Sequence, residues 1–213
     1  MTSLINIVSW SQRLACEILQ PGDLAVDLTA GKGRDTYSLA KAVGTEGQVL
    51  AFDLQATALQ QAMELLQNHD FCVNNWPAGK ALPKQAGIFL VHACHSSLGK
   101  ILQRPAKAIM ANLGYLPGGD PMLITRPDST LAALQQSLHL LAPGGRLAVT
   151  VYPGHPGGEK EGTVVDVFFR DLPRELWHVL CVRALNHNAA PYLHVAERTP
   201  LKSSTSVSAL PGC

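Results

Sequence analysis

Apolar runs of strand length alternate with amphipathic stretches of helix length along most of this chain, and that alternation restricts its fold more than anything else. Leu24 to Leu28, Gln48 to Leu54, Gly87 to Ala93, Ala106 to Met110 and Arg146 to Tyr152 are nearly continuous in apolar side chains. A strand can be apolar on both faces only where both faces are covered. Asp35 to Ala42, Ala56 to Gln67, Ser129 to Leu141 and Glu161 to Leu172 repeat apolar residues at helical spacing, and Ile5 to Leu19 does so ahead of the first strand. Pro21-Gly22 and Pro143-Gly144-Gly145 read as stops. The order predicts an α/β fold: a mostly parallel sheet with helices on both faces. Trp177 to Leu185 and Tyr192 to Glu197 have no helix between them, so they are predicted as an antiparallel edge that completes a seven-stranded sheet.

The 213 residues read as a single domain over 1–199, followed by a Ser-rich, non-periodic stretch, 200–213, predicted to be a disordered tail. With 46% hydrophobic and 15% charged residues the chain is globular, and no apolar run approaches the ~20 residues of a membrane span. Met1 to Trp10 lacks the basic start and cleavage site of a signal peptide. The five cysteines are odd in number and widely spaced, so they read as reduced thiols. These features predict a cytoplasmic protein with no membrane partner; a monomer and a homodimer fit them equally. The formal charge of +1 argues against a grip on a long duplex and favours a small target such as one RNA loop.

The first loop of the predicted sheet, Asp27-Leu28-Thr29-Ala30-Gly31-Lys32-Gly33-Arg34-Asp35-Thr36, joins a strand to a helix. Glycines there let the main chain approach a ligand, and the helix start offers unpaired amides. The next strand reaches Asp53 about 20 residues later, where an acid accepts hydrogen bonds from a ribose. Together they predict a cofactor that carries a nucleoside. Thr36 stands where a dinucleotide fingerprint has its third glycine, which speaks against a nicotinamide. Asp27, just ahead of the glycines, would repel a pyrophosphate and suits the ammonium of S-adenosylmethionine.

A second cluster lies where the strand Ala106 to Met110 runs into Ala111-Asn112-Leu113-Gly114-Tyr115-Leu116-Pro117-Gly118-Gly119-Asp120. This strand end brings a side-chain amide, free carbonyls and an aromatic ring to one point. The Asn112 oxygen and the Leu113 carbonyl can accept two hydrogens of a primary amine and so aim its lone pair. Tyr115 either stacks on a base or packs as a core tyrosine with a bonded hydroxyl. Leu116, Pro117 and Gly118 are predicted to form a rigid turn lining the target pocket. Tyr152 and His155 follow a later strand at the same edge. His92-Ala93-Cys94-His95 sits at a strand-to-loop junction where i and i+3 point to opposite faces, with no second ligand pair, so no metal site is predicted. His95 is predicted to touch the cofactor or to take a proton from the incoming amine.

Asp27 followed by Gly31-x-Gly33, with Asp53 ending the next strand, resembles motifs I and II of the Rossmann-like class I methyltransferases. Asn112 to Tyr115 falls where their amino-methylating branch carries Asn-Pro-Pro-Tyr or a relative. The match extends further. Asp27-x-Thr29-x-Gly31-x-Gly33-x-Asp35-Thr36, Phe52-Asp53-x-Gln55, Asn112 to Asp120, Tyr152-x-Gly154-His155-Pro156-Gly157-Gly158 and Asn186-His187-Asn188-x-x-Pro191-Tyr192-Leu193 occur in that order. Together they resemble the YtqB-like family, long labelled rRNA methylases, over about residues 5 to 198. Its characterised members methylate the aminomethyl group of a modified wobble uridine in tRNA.

The resemblance implies S-adenosylmethionine as cofactor. Its binding set would be Asp27, Thr29, Gly31, Lys32, Gly33, Asp35 and Thr36, then Asp53 and Gln55, then His95 and Ser96. Catalysis would fall to Asn112, Tyr115 and His95, with Leu113, Leu116, Pro117, Gly118, Tyr152 and His155 against the substrate. A tRNA anticodon loop is the implied partner. Residue chemistry alone reaches an amine on a stacked ring, and rRNA, a protein amide or a small-molecule amine is the alternative acceptor. Many members have Gly-Asn-Gly-His-Asp where this chain has Gly31-Lys32-Gly33-Arg34-Asp35, so the roles of Lys32 and Arg34 stay open.

Overall fold

Strands that are apolar on both faces need a layer of helices on each, and the structure has that form. It is a computed structural model that describes residues 4–114, 118, 124–154, 157–187 and 189–200. The helices are α1 (Ile7–Cys16), α2 (Arg34–Val43), α3 (Ala56–Gln67), α4 (Leu98–Ile101), α5 (Pro127–Leu140) and α6 (Gly158–Arg170), with a 3-10 turn at His95–Ser97. The strands are β1 (Leu24–Asp27), β2 (Gln48–Asp53), β3 (Val73–Asn75), β4 (Gly87–His92), β5 (Ala106–Leu113), β6 (Leu141–Val151), β7 (Trp177–Val182) and β8 (Tyr192–Arg198). They lie in the order β3-β4-β2-β1-β5-β6-β8-β7.

Alternate side chains of each strand feed two cores. Leu24, Val26, Phe52 and Phe89 pack with Leu98 of α4, Leu134 of α5 and Phe169 of α6. Ala25, Val49, Ala51 and Leu90 pack on the other face with Ile7 of α1, Leu39 of α2 and Leu66 of α3. Enclosing a large apolar side chain contributes roughly 1.5–3 kcal/mol, so these two layers are the main source of the sheet's stability.

The pairing from β3 to β6 is parallel, which puts the carboxyl ends of β1, β2, β4, β5 and β6 along one edge. Asp27 lies opposite Met110, Asp53 opposite His92, and Asn112 opposite Thr150. The register thus gathers the residues singled out by sequence at a single rim.

Among the described residues the sheet has eight strands where seven were expected. The additional one, Val73–Asn75, has one apolar residue in three and is half-exposed, so it carries no apolar run. The antiparallel pairing at the far edge is present, and the reversed strand is β8, which lies between β6 and β7. Helix α1 is shorter than the Ile5 to Leu19 periodicity: the Asn6 side chain caps it by accepting from the Ser9 amide at 3.2 Å. β5 runs on to Leu113, so Asn112 rides on the strand instead of following it. β6 begins at Leu141, and its register against β5 steps from Ala106–Leu141 to Ala108–Arg146, which absorbs Pro143-Gly144-Gly145. Residues 201–213, nearly all of the expected tail, lie outside the described residues.

Candidate active site

The first loop is shaped from beneath by Asp27. This carboxylate is fully buried; one oxygen accepts the Thr29 amide at 3.0 Å and the other the Thr36 hydroxyl at 2.7 Å. One side chain therefore fixes both the start of the loop and the start of α2. Burial, with the charge of Asp35 beside it, pushes the Asp27 carboxyl up to about 7. Gly33 has φ +82°, and a Cβ there would lie 2.9 Å from the Ala62 Cα, so α2 can begin this close to α3 only with glycine.

Above this brace a cleft of about 690 Å³ opens along the carboxyl ends of the strands. Open α/β sheets bind ligands at this edge. Thr29, Gly31, Lys32, Asp35, Asp53, Gln55 and His95, all expected at the cofactor, line it. Asn112, Leu113 and Tyr152, expected at catalysis and substrate, line it as well. Asp27, Gly33 and Thr36 are not in its wall; Asp27 and Thr36 form the layer below. Ser96 also lies out of the wall: its hydroxyl faces the Cys94 sulfur at 3.1 Å and its carbonyl accepts from Gln136 Nε2 at 2.8 Å. Gly118 sits near Lys32, whose Nζ would be 3.9 Å from a Cβ there. Tyr115, Leu116, Pro117 and His155 lie outside the described residues.

At one end of the cleft Asp53 is held by main chain. Its Oδ2 accepts the Gly31 amide at 2.8 Å and its Oδ1 the Gln55 amide at 2.8 Å. Each oxygen keeps a lone pair for a further donor. His95 stands in the same wall, 7% exposed, hydrogen-bonded to the Leu28 backbone, with Nε2 buried and unpartnered among the described residues. Burial lowers its pKa and keeps the imidazole neutral.

At the other end Asn112 is fixed by two bonds of its own, and one of its partners is braced in turn. Its main-chain amide donates to the Thr29 hydroxyl at 2.7 Å, which ties β5 to the first loop. Its side-chain NH2 donates to one oxygen of Asp35, and Gln12 Nε2 donates to the other at 2.6 Å. The Asn112 side-chain oxygen is buried and has no partner among the described residues. Burial raises the Asp35 pKa, and the two amide donors oppose that. The Tyr152 phenol is also raised, by burial first and by the Asp35 charge second.

Just past Asn112 the chain is clasped. The Gly114 amide donates to the Thr125 hydroxyl at 2.8 Å, and the Thr125 amide to the Gly114 carbonyl at 2.9 Å. Thr125 and Thr130 both donate to the buried Glu161 at 2.6 Å. Sequence reasoning missed Gln12, Thr125, Arg126 and Glu161. Arg126, an exposed cation at the start of α5, joins Lys32 and Arg34 in the wall. No motif marks these four residues; the one signal that could have found any of them is an acid, Glu161, at helical spacing from the buried Val165 and Phe169 of α6.

Residues 49–197 match the family described as "Putative rRNA methylase". A tRNA (mnm(5)s(2)U34)-methyltransferase, chloroplastic, of Arabidopsis thaliana is 37% identical over 199 residues, which is 90% of this chain and 67% of that one. The crystal structure of a "putative rRNA-methylase" from Clostridium thermocellum superposes with a TM-score of 0.81 at 31% identity, covering 92% of this chain and all of that one (100%). A methyltransferase of Streptococcus mutans in complex with SAH superposes with a TM-score of 0.76 at 30% identity, covering 93% of this chain and 99% of the other. The rim that gathers Asp53 and Asn112 is thus built on a shared scaffold, and the chain belongs to the YtqB-like rRNA methylase family of class I methyltransferases.

Proposed function

We propose that this protein is the S-adenosylmethionine-dependent N-methyltransferase that converts the 5-aminomethyl group of a (2-thio)uridine at the tRNA wobble position to 5-methylaminomethyl. The observation that carries the reading is the oxygen of Asn112, a residue of the cleft wall: a buried acceptor without a partner among the described residues. The name of the plant relative supports the choice of base.

The residues present fit a nucleoside cofactor. Asp53 has lone pairs for two ribose hydroxyls, the Gly31 loop brings main chain to the wall, and His95 Nε2, without a partner among the described residues, can meet a polar group of the base. S-adenosylmethionine supplies, when bound, an electrophilic methyl carbon on a sulfonium sulfur. The acceptor nitrogen needs its lone pair, so a primary alkylammonium has to lose one proton first. Asn112 then accepts an N–H of the neutral amine and turns the lone pair toward the methyl donor, and this positioning is the main source of rate. Lys32, Arg34 and Arg126 give the rim a positive charge that suits phosphates of an anticodon loop. Such a loop lets one base be splayed into the cleft without opening a duplex. No helix among the described residues is long and apolar enough to cross a membrane, and we place the enzyme in the cytoplasm, where it meets tRNA.

The test uses purified protein, methyl-labelled cofactor and two tRNA pools. Label should enter the wobble nucleoside of tRNA carrying the aminomethyl group, and tRNA lacking that group should stay unlabelled. Equal labelling of both pools, or labelling of ribosomal RNA alone, overturns the substrate.

A further inference from the structure

Gln12 stands apart from every motif at the site, on the half-buried side of α1. Its side-chain NH2 reaches one oxygen of Asp35 at 2.6 Å, while the other oxygen receives the NH2 of Asn112. Three elements, α1, α2 and β5, thus meet in one chain of side chains. A carboxylate only accepts hydrogen bonds. Facing Asp35, the Asn112 amide has to present NH2; turned over, it would set oxygen against oxygen. The turn of this amide is therefore decided by its neighbour, and its own oxygen is left buried and without a partner among the described residues, on a residue that lines the cleft.

We propose that Gln12 and Asp35 are positioning residues that lock the Asn112 amide with its oxygen toward the cleft, so that the acceptor site selects a nitrogen bearing N–H. The inference rests on the methyltransferase reading above and assigns how its acceptor is chosen. An acceptor group without N–H, such as a tertiary amine, gains nothing from this wall. Gln12 acts at one remove: without its donor, Asp35 is free to turn, and the amide loses its fixed orientation. In Asp35→Asn the new side chain can offer NH2 to Asn112, which lets the amide turn over and present the wrong end.

The experiment compares wild type, Gln12→Leu and Asp35→Asn as full chains. The side-chain NH2 of Asn112 is observed by proton–nitrogen NMR of the free protein and assigned by its loss in Asn112→Ala. Bound to a carboxylate, this NH2 should have a downfield proton that moves upfield in Asp35→Asn and part of the way in Gln12→Leu. On tRNA carrying the aminomethyl base, kcat should fall about 100-fold in Asp35→Asn, where the bond to Asn112 itself loses its charged acceptor, and about tenfold in Gln12→Leu, where that bond remains and only the brace on Asp35 is lost. SAH affinity should stay within about threefold in Gln12→Leu, because Gln12 is not in the wall of the cleft and its bond is to Asp35 alone. An Asn112 signal unmoved by both variants overturns the proposal, as does a loss of SAH affinity in Gln12→Leu as large as its loss of turnover. A signal that moves as expected in the two variants, while the wild-type protein labels no tRNA, leaves the locked amide standing and removes the substrate assignment instead.

Discussion

The two ends of the cleft hold their carboxylates in opposite ways. Asp53 takes its hydrogen bonds from the main-chain amides of Gly31 and Gln55. Asp35 takes its bonds from the side chains of Gln12 and Asn112. Main-chain donors come with the turn itself, so any sequence that makes this loop provides them. Side-chain donors exist only where three particular residues coincide. The Asp53 end can therefore be common to many enzymes that share a cofactor, and the Asp35 end carries what distinguishes one acceptor from another.

The sharpest way to break this contrast is Asn112→Ala. It should lower turnover about 100-fold or more through lost orientation of the acceptor, while SAH titration gives nearly the wild-type affinity. An affinity that collapses in step with turnover would make Asn112 a cofactor ligand and erase the distinction between the two ends. The mirror-image change is Asp53→Ala. It should weaken cofactor binding by roughly 10- to 100-fold, the size of lost charge-assisted hydrogen bonds, with little change in kcat at saturating cofactor. Unchanged affinity in a folded variant would remove Asp53 from the cofactor site.

The asymmetry also explains what could be read from sequence. Asp53 and the glycine loop were legible because a strand end, a tight turn and an acid at fixed spacing is a local pattern. Asn112 was legible for the same reason, since it sits in a dense string of turn residues. Gln12 was not, because its meaning arises only when α1 lies across the start of α2, some 23 residues away in sequence. Glu161 went unremarked for a related reason: its partners Thr125 and Thr130 are on another helix and the segment before it. Strand β3 escaped notice because a half-exposed strand of three residues has no apolar period to detect. Asp27 stands at the strand end as expected, but its burial beneath the loop, with its oxygens taken up by Thr29 and Thr36, arises only when the loop folds over it and leaves no trace in the spacing.

That burial gives a third test. The folded-state pKa of Asp27 is raised above its ordinary 3.8 to about 7, first by burial and then by the charge of Asp35. Between those values the folded protein holds a proton that the unfolded chain has released. Stability therefore declines as pH rises from about 4 to about 7 and is level in this respect above that. Asp27→Asn should flatten the decline in urea melts taken across this window, and a slope that survives the substitution would assign it to another group. Asp35, raised by burial as well, contributes in the same direction.

The smallest expected effect is at Glu161, 2% exposed, whose two oxygens hold the hydroxyls of Thr125 and Thr130. Thr125 in turn holds the Gly114 amide, and Gly114, at φ +137°, follows β5 directly. Replacing Glu161 by alanine strands two hydroxyls and opens space, but it also relieves a buried carboxylate of its desolvation. The balance should be a loss of about 1–3 kcal/mol, the range for buried groups left unsatisfied, read as a lower urea midpoint with an unchanged slope. The kinetic consequence should fall on one end of the cleft only. Loosening Gly114 disturbs Asn112 two residues before it, so turnover should drop several-fold while SAH affinity holds. Equal losses in both would mean that Glu161 supports the whole rim, and the division between a main-chain end and a side-chain end would not extend to the residues behind it.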